Sequence, residues 1–174
     1  MKPTIFRYGL YSVLIILASG IIQFFVFPKC NYEVQEVIGY LSILLSMIFV
    51  FMGMRHYRNQ VNNGTLSFGQ GLKIGVLIVL IPSVCSGLFD IFYSEVLNPQ
   101  WGEDYFNHYA EQIKKTTEPG KLQAALDKLQ SQKEMFSNPA LQFIIMFATV
   151  FVIGFIVTII SSLTLMRKRN PVSA

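Results

Sequence analysis

The stretch from Leu72 to Asn98, LKIGVLIVLIPSVCSGLFDIFYSEVLN, restricts the fold more than any other part of the chain. It holds 27 residues, nearly all apolar, with Pro82 near its middle and Asp90 towards its end. About 20 helical residues cross a hydrocarbon core of roughly 30 Å, so this run can span a bilayer, tilt, kink at Pro82 or project beyond the lipid. Three further runs pass the same test, giving predicted spans at about Tyr8 to Phe27, Val37 to Met54, Leu72 to Leu97 and Pro139 to Met166. Segments such as LIVLIP and FVIGFIV do not alternate apolar with polar residues, which argues against a β-barrel and for helices. The expected fold is all-α, a single domain over residues 1–174. It is an integral membrane four-helix bundle with an extracytoplasmic helical hairpin, residues 99–138, between helices three and four.

Charge placement predicts the orientation. The chain is 52% hydrophobic and only 14% charged, with a formal net charge of +4. A basic balance can mark a nucleic-acid binder, but here the cations sit at the ends of the apolar runs. With the N-terminus inside, the inner segments hold Lys2, Arg7, Arg55, Arg58, Lys73, Arg167, Lys168 and Arg169 and no acid. The short outer turn sets Lys29 against Glu33 and Glu36, and the long outer segment holds five lysines and six acids. This positive-inside pattern predicts a multi-pass protein of a bacterial inner (cytoplasmic) membrane with both termini cytoplasmic. The lipid bilayer is the expected partner, with attraction to anionic lipid, and nucleic acid is not.

Along the chain, Lys2 and Arg7 followed by YGLYSVLIILASGIIQFFVF mimic a secretory signal. The apolar run continues for seven residues past Gly20, so an uncleaved first helix is expected. The turn KCNYEVQE is short and makes the first two helices antiparallel neighbours. Gly39, Ser42 and Ser46 offer a small-residue face in the second helix. Arg55, Tyr57 and Arg58 at its inner end, Trp101 at the entrance of the outer segment, and Arg167, Lys168 and Arg169 at the last span's end are expected interfacial anchors. Asn63-Gly64 marks a turn. A short interfacial helix is expected around Leu66 to Gln70, and Gly71 with Gly75 lets the third helix pack closely. In the outer segment Tyr105, Tyr109 and Ile113 recur at helical spacing, as do Leu122, Ala125, Leu126 and Leu129. Pro119-Gly120 separates these two amphipathic helices, with Thr117 a candidate cap for the second. Asn138-Pro139 reads as a cap followed by proline at the first helical position. Gly154, Thr158, Ser161 and Ser162 are the small residues of the last span.

Several of these segments together, HYRNQ, the Asn-Gly turn, S-F-G-Q-G-L-K-I-G, the N-P-x-W exit and T-I-I-S-S-L-T before a basic tail, resemble the bacterial membrane family catalogued as domain of unknown function 4199. The resemblance covers nearly the whole chain and implies the four-span layout. That family has no established activity, so it implies no catalytic residue.

No H-E-x-x-H, C-x-x-C, G-x-S-x-G or P-loop pattern occurs. His56 and His108 are predicted on opposite sides of the membrane, and Cys30 and Cys85 are poorly placed for a disulfide. The expectation is a non-enzymatic protein without metal or cofactor, acting by association with a second copy, a membrane protein or a periplasmic partner. The alternative is a small oligomeric transporter or channel using Asp90. Small multidrug carriers of similar size rely on an acid in the first helix, and this first helix has none. An intramembrane carboxylate costs roughly 2.5 to 3.5 kcal/mol, so Asp90 is a functional candidate that calls for polar company. Ser83, Gly87, Asp90 and Ser94 share one stripe of the third helix, while Gln23 and Gln142 lie at comparable predicted depth on other helices. These residues form the candidate intramembrane polar site.

Overall fold

A computed structural model describes residues 1–26 and 31–167. Cys30, Lys168 and Arg169 therefore lie outside the described residues. Among those described the chain is helical, with no strand beyond one isolated bridge between Leu66 and Arg167. Six α-helices run as α1 (Lys2–Val26), α2 (Tyr32–His56), α3 (Phe68–Phe92), α4 (Trp101–Thr116), α5 (Pro119–Phe136) and α6 (Pro139–Leu165). Helices α1, α2, α3 and α6 are long and apolar enough to cross a membrane. Helices α1, α2 and α3 each start several residues before the predicted apolar run, whereas α6 keeps to it, starting at Pro139 and ending at Leu165.

Two helices end in the same unusual way. Both α2 and α3 widen into a π-helical turn, Tyr57–Val61 and Tyr93–Leu97. In each, an asparagine N–H reaches back five residues to a tyrosine carbonyl, Asn62 to Tyr57 at 2.9 Å and Asn98 to Tyr93 at 2.8 Å.

The chain divides into two compact units, one comprising Met1–Ser86 with the residues from Phe147 onward, the other Gly87–Met146. In the first unit α1 and α2 pack antiparallel, as the short turn predicts. Ser12 Oγ donates to Ser46 O at 3.0 Å, the hydroxyls of Ser19 and Ser42 bond each other, and a Cβ on Gly53 would stand 3.1 Å from Tyr8 Cβ. Ser42 and Ser46 thus serve the predicted small-residue face. Gly39 does not, since a Cβ there would meet nothing within 4 Å.

The α3–α6 contact shows what replaces the hydrophobic effect when both sides of an interface are as apolar as the surroundings. A Cβ on Gly71 would lie 2.9 Å from Ser162 Oγ, one on Gly75 the same distance from Thr158 Oγ1, and one on Gly154 2.8 Å from Val79 Cγ2. The pairs advance four residues on one helix and retreat four on the other, the register of antiparallel helices in close contact. The predicted Gly71/Gly75 pair is therefore present, and Gly154 contributes the third gap from the opposite side.

At the end of this unit where α3 begins, the loop Asn62–Ser67 clasps the end of α6. Asn63 and Gly64 both have positive φ, 51° and 75°, which asparagine and glycine tolerate best. Leu66 exchanges both backbone hydrogen bonds with Arg167, at 3.1 and 2.8 Å, and Arg58 Nη1 donates to Leu165 O at 3.3 Å, satisfying a carbonyl that the helix end leaves open. No separate interfacial helix forms around Leu66 to Gln70. Ser67 and Gln70 make a reciprocal capping box, Gln70 N to Ser67 Oγ at 3.3 Å and Ser67 N to Gln70 Oε1 at 3.1 Å, which starts α3 at Phe68 and leaves Leu66 free to pair.

In the second unit α4 and α5 form the predicted hairpin. Acids Glu103 and Asp104 open α4 and Lys114 and Lys115 close it, favourable placements against the helix dipole. Phe106 is buried, its ring 6.1 Å from that of Phe136. Leu122, Ala125, Leu126 and Leu129 form the half-buried stripe of α5, while the residues between them are exposed. Thr117 is not the cap of α5. It terminates α4, and Pro119 at the first helical position makes Glu118 the capping residue, without a side-chain bond.

Candidate functional site

The candidate polar site is built where the sequence begins to conflict with its surroundings. Within the second unit, the last turns of α3 approach the first turns of α6 because residue 87 is glycine. A Cβ there would lie 2.6 Å from Phe143 Cδ2 and 3.1 Å from Phe143 O. Asn138 fixes the start of α6 by accepting from Ala140 N at 3.0 Å, with Pro139 at the first helical position, as predicted. Gln142 comes one turn later, buried at 5% exposure, and its amide reaches across to α3.

Gln142 Nε2 donates to Ser94 Oγ at 2.9 Å and lies 3.4 Å from Asp90 O. Ser94 has a single hydroxyl proton and two acceptors in reach, Ile91 O at 3.1 Å and Gln142 Oε1 at 3.2 Å. With Nε2 already donating to Ser94, that proton is free to return to Ile91 O, and all three groups are then satisfied. Of the Asp90 carboxyl, Oδ2 is buried with no partner among the described residues. Chemically, this is a glutamine clamp across two helix ends beside a carboxyl with one open position.

Each residue of the expected joint site is described within its own unit. Asp90, Ser94 and Gln142 come together. Ser83, in the first unit, is fully buried and donates to Val79 O of its own helix at 2.8 Å. Gln23, also in the first unit, bonds Ser19 Oγ at 3.4 Å and so extends the Ser19–Ser42 contact between α1 and α2.

Among the predicted anchors, Arg55 is exposed in the last turn of α2, Tyr57 opens the π-helical turn, and Arg167 pairs with Leu66 through its backbone while its side chain is exposed. Arg58 has a structural task instead, held by Leu165 O and by Asn59 Oδ1 at 2.8 Å. Trp101 belongs to an aromatic ladder, edge-on to Tyr93 at 6.2 Å and stacked on Tyr105 at 5.0 Å, which in turn meets Tyr109 at 4.7 Å. Arg58's role at Leu165 and the Leu66–Arg167 pairing went unread in the sequence because both depend on chain segments far apart. The capping box was legible, as the S-x-x-Q spacing of Ser67 and Gln70.

A family model described as a protein of unknown function, DUF4199, matches residues 7–167. None of the curated proteins and none of the solved structures matches the chain.

Proposed function

The chain belongs to the DUF4199 family, and from that premise we propose that it is a bacterial inner-membrane protein that works by association rather than by catalysis. In this reading α1, α2, α3 and α6 cross the bilayer, both termini are cytoplasmic, and the α4–α5 hairpin stands on the periplasmic side, where it meets a protein partner or a second copy.

The observation that carries the reading is the hairpin itself. Helix α5 is 18 residues long and has no buried residue, so its apolar stripe is only half covered by α4. Helices of this length are marginal alone in water, and a half-covered stripe gains stability from anything that completes its burial. The polar clamp supports the same view. Gln142 and Ser94 join the chain segments entering and leaving the hairpin, which gives Asp90, Ser94 and Gln142 a positioning role in presenting it. A second reading, a small oligomeric transporter or channel, draws its support from Asp90 Oδ2, which is buried and without a partner among the described residues.

Orientation is tested with single cysteines at positions 121 and 173 in a background where Cys30 and Cys85 are serine. A membrane-impermeant thiol reagent on intact spheroplasts is expected to mark position 121 and spare 173, and equal labelling would sink the topology. Gentle extraction followed by native mass spectrometry distinguishes the two functions. One recurrent protein partner or a defined homo-oligomer supports association. A monomer without partners, together with proton-dependent flux in proteoliposomes that Asp90→Asn abolishes, would replace it with transport.

A further inference from the structure

One end of the first unit carries an uncompensated positive charge. The antiparallel α1–α2 and α3–α6 registers bring together the start of α1, the end of α2, the start of α3 and the end of α6, and with them Lys2, Arg7, Arg55, Arg58, Lys73 and Arg167. The described acids of this unit, Glu33 and Glu36, sit in the first turns of α2, at the opposite end. Among the described residues no ion pair involves any of the six cations.

They differ in what else they do. Arg58 is half buried and its guanidinium is engaged by Leu165 O and Asn59 Oδ1. Arg7 is exposed and only partly engaged. Its Nε donates to Tyr11 Oη at 3.0 Å, and its guanidinium carbon lies 5.7 Å from the Tyr11 ring centroid and 6.0 Å from that of Tyr8. Tyr8 itself is buried and braced by His56, 5.7 Å away between ring centroids. The tyrosine hydroxyl and two rings thus orient the fork and leave its terminal nitrogens without a hydrogen-bond partner among the described residues. An oriented guanidinium binds a phosphate oxygen pair in two parallel hydrogen bonds, which a free lysine cannot do. On the membrane-spanning reading, α1 is apolar from Tyr8 onward and Arg7 falls at the headgroup end of the span, a depth that its long stem suits.

We propose that Arg7, held by Tyr11 and Tyr8, is the primary group of a binding site for the headgroup phosphate of an anionic phospholipid, with Arg55 and Lys2 adding field at the same end. The site rests on the membrane-spanning reading but not on the association reading. The occupant is a lipid rather than free phosphate because the unopposed charge faces an interface where anionic headgroups are concentrated and each basic residue near the surface adds attraction.

The test uses the full chain reconstituted in nanodiscs of phosphatidylcholine alone or mixed with phosphatidylglycerol, then released into neutral detergent for native mass spectrometry of retained lipid. Wild type is expected to retain phosphatidylglycerol over phosphatidylcholine, Arg7→Gln to lose about fivefold of that preference, and Arg58→Gln to keep it. Tyr11→Phe removes only the hydroxyl that fixes Nε and is expected to lose about twofold; it carries the test if Arg7→Gln does not fold. Three results overturn the inference. They are an unchanged preference in Arg7→Gln or, failing that variant, in Tyr11→Phe; an equal loss in Arg58→Gln; and displacement of the lipid by millimolar inorganic phosphate. Failure of the wild type to enter phosphatidylcholine nanodiscs at all would remove the membrane reading as well.

Discussion

Replacing Gln142 by leucine takes away the amide that reaches Ser94 and Asp90 while keeping most of the side-chain volume. Interhelical hydrogen bonds in membranes contribute about 0.6 kcal/mol on average and up to roughly 1.7, so Gln142→Leu is expected to cost about 1 kcal/mol. The effect is measurable by unfolding in detergent followed through Trp101, the single tryptophan, which lies in the same unit. Asp90 separates two explanations of the same contact. Asp90→Asn retains shape and hydrogen bonding and is expected to fold with near wild-type stability, whereas Asp90→Leu removes both and is expected to destabilise. A loss in Asn equal to that in Leu would show that the charge, and not the hydrogen bonding, is what the fold uses. The sequence made Asp90 conspicuous because a carboxylate in an apolar run is anomalous on its own. Which glutamine reaches it was not legible, since depth along a helix does not say which way a side chain points. Gln142 faces α3 because the Gly87–Phe143 approach brings it there, while Gln23 is engaged by a neighbour four residues away on its own helix.

Between α3 and α6, the consequence of the glycine register is that each gap is set against one residue of the facing helix, Ser162, Thr158 or Val79. Gly75→Ala places a methyl carbon against both Thr158 Oγ1 and Cγ2, with Met54 Sδ 3.0 Å away. Overpacking of this kind costs typically 1 to 3 kcal/mol. Thr158→Ala deletes both threonine atoms, so Gly75→Ala/Thr158→Ala is expected to recover most of the loss. A thermal-shift double-mutant cycle checks this, and strictly additive losses would show that the clash is not with Thr158. Local signals were legible at this scale. Asn63-Gly64, Asn138-Pro139 and the Gly71/Gly75 pair each act through backbone conformation or size alone. Gly39 misled because a small residue announces room for a neighbour without saying that one is there. The extra helix at Leu66 to Gln70 misled for the opposite reason: Ser67 and Gln70 start α3 at once, and Leu66 is drawn to Arg167, far along the chain.

For the whole chain, the two units imply unequal protection. Hydrogen exchange on the reconstituted protein is expected to be slowest where α3 and α6 interlock at Gly71, Gly75 and Gly154, intermediate in α4 and fastest in α5, which lacks a buried residue. Protection of α5 equal to that of α3 in the isolated protein would mean that its stripe is already covered. The apolar runs made the helical content and the four membrane-length helices legible from the start, since hydropathy over 20 residues needs no tertiary information. The clasp at the end of α6 needed all of it. That clasp also bears on biosynthesis. Arg58 and Leu165 are 107 residues apart in the chain, and at about 5 to 20 residues per second the ribosome takes on the order of 5 to 20 s to make the distance. Once α3 is made and until α6 arrives, the α2–α3 connection lacks the Leu165 carbonyl and the gaps at Gly71 and Gly75 have no α6 side chain seated in them. On the membrane-spanning reading, the nascent chain therefore passes through an intermediate in which α1, α2 and α3 leave an open groove, and only the arrival of α6 closes it.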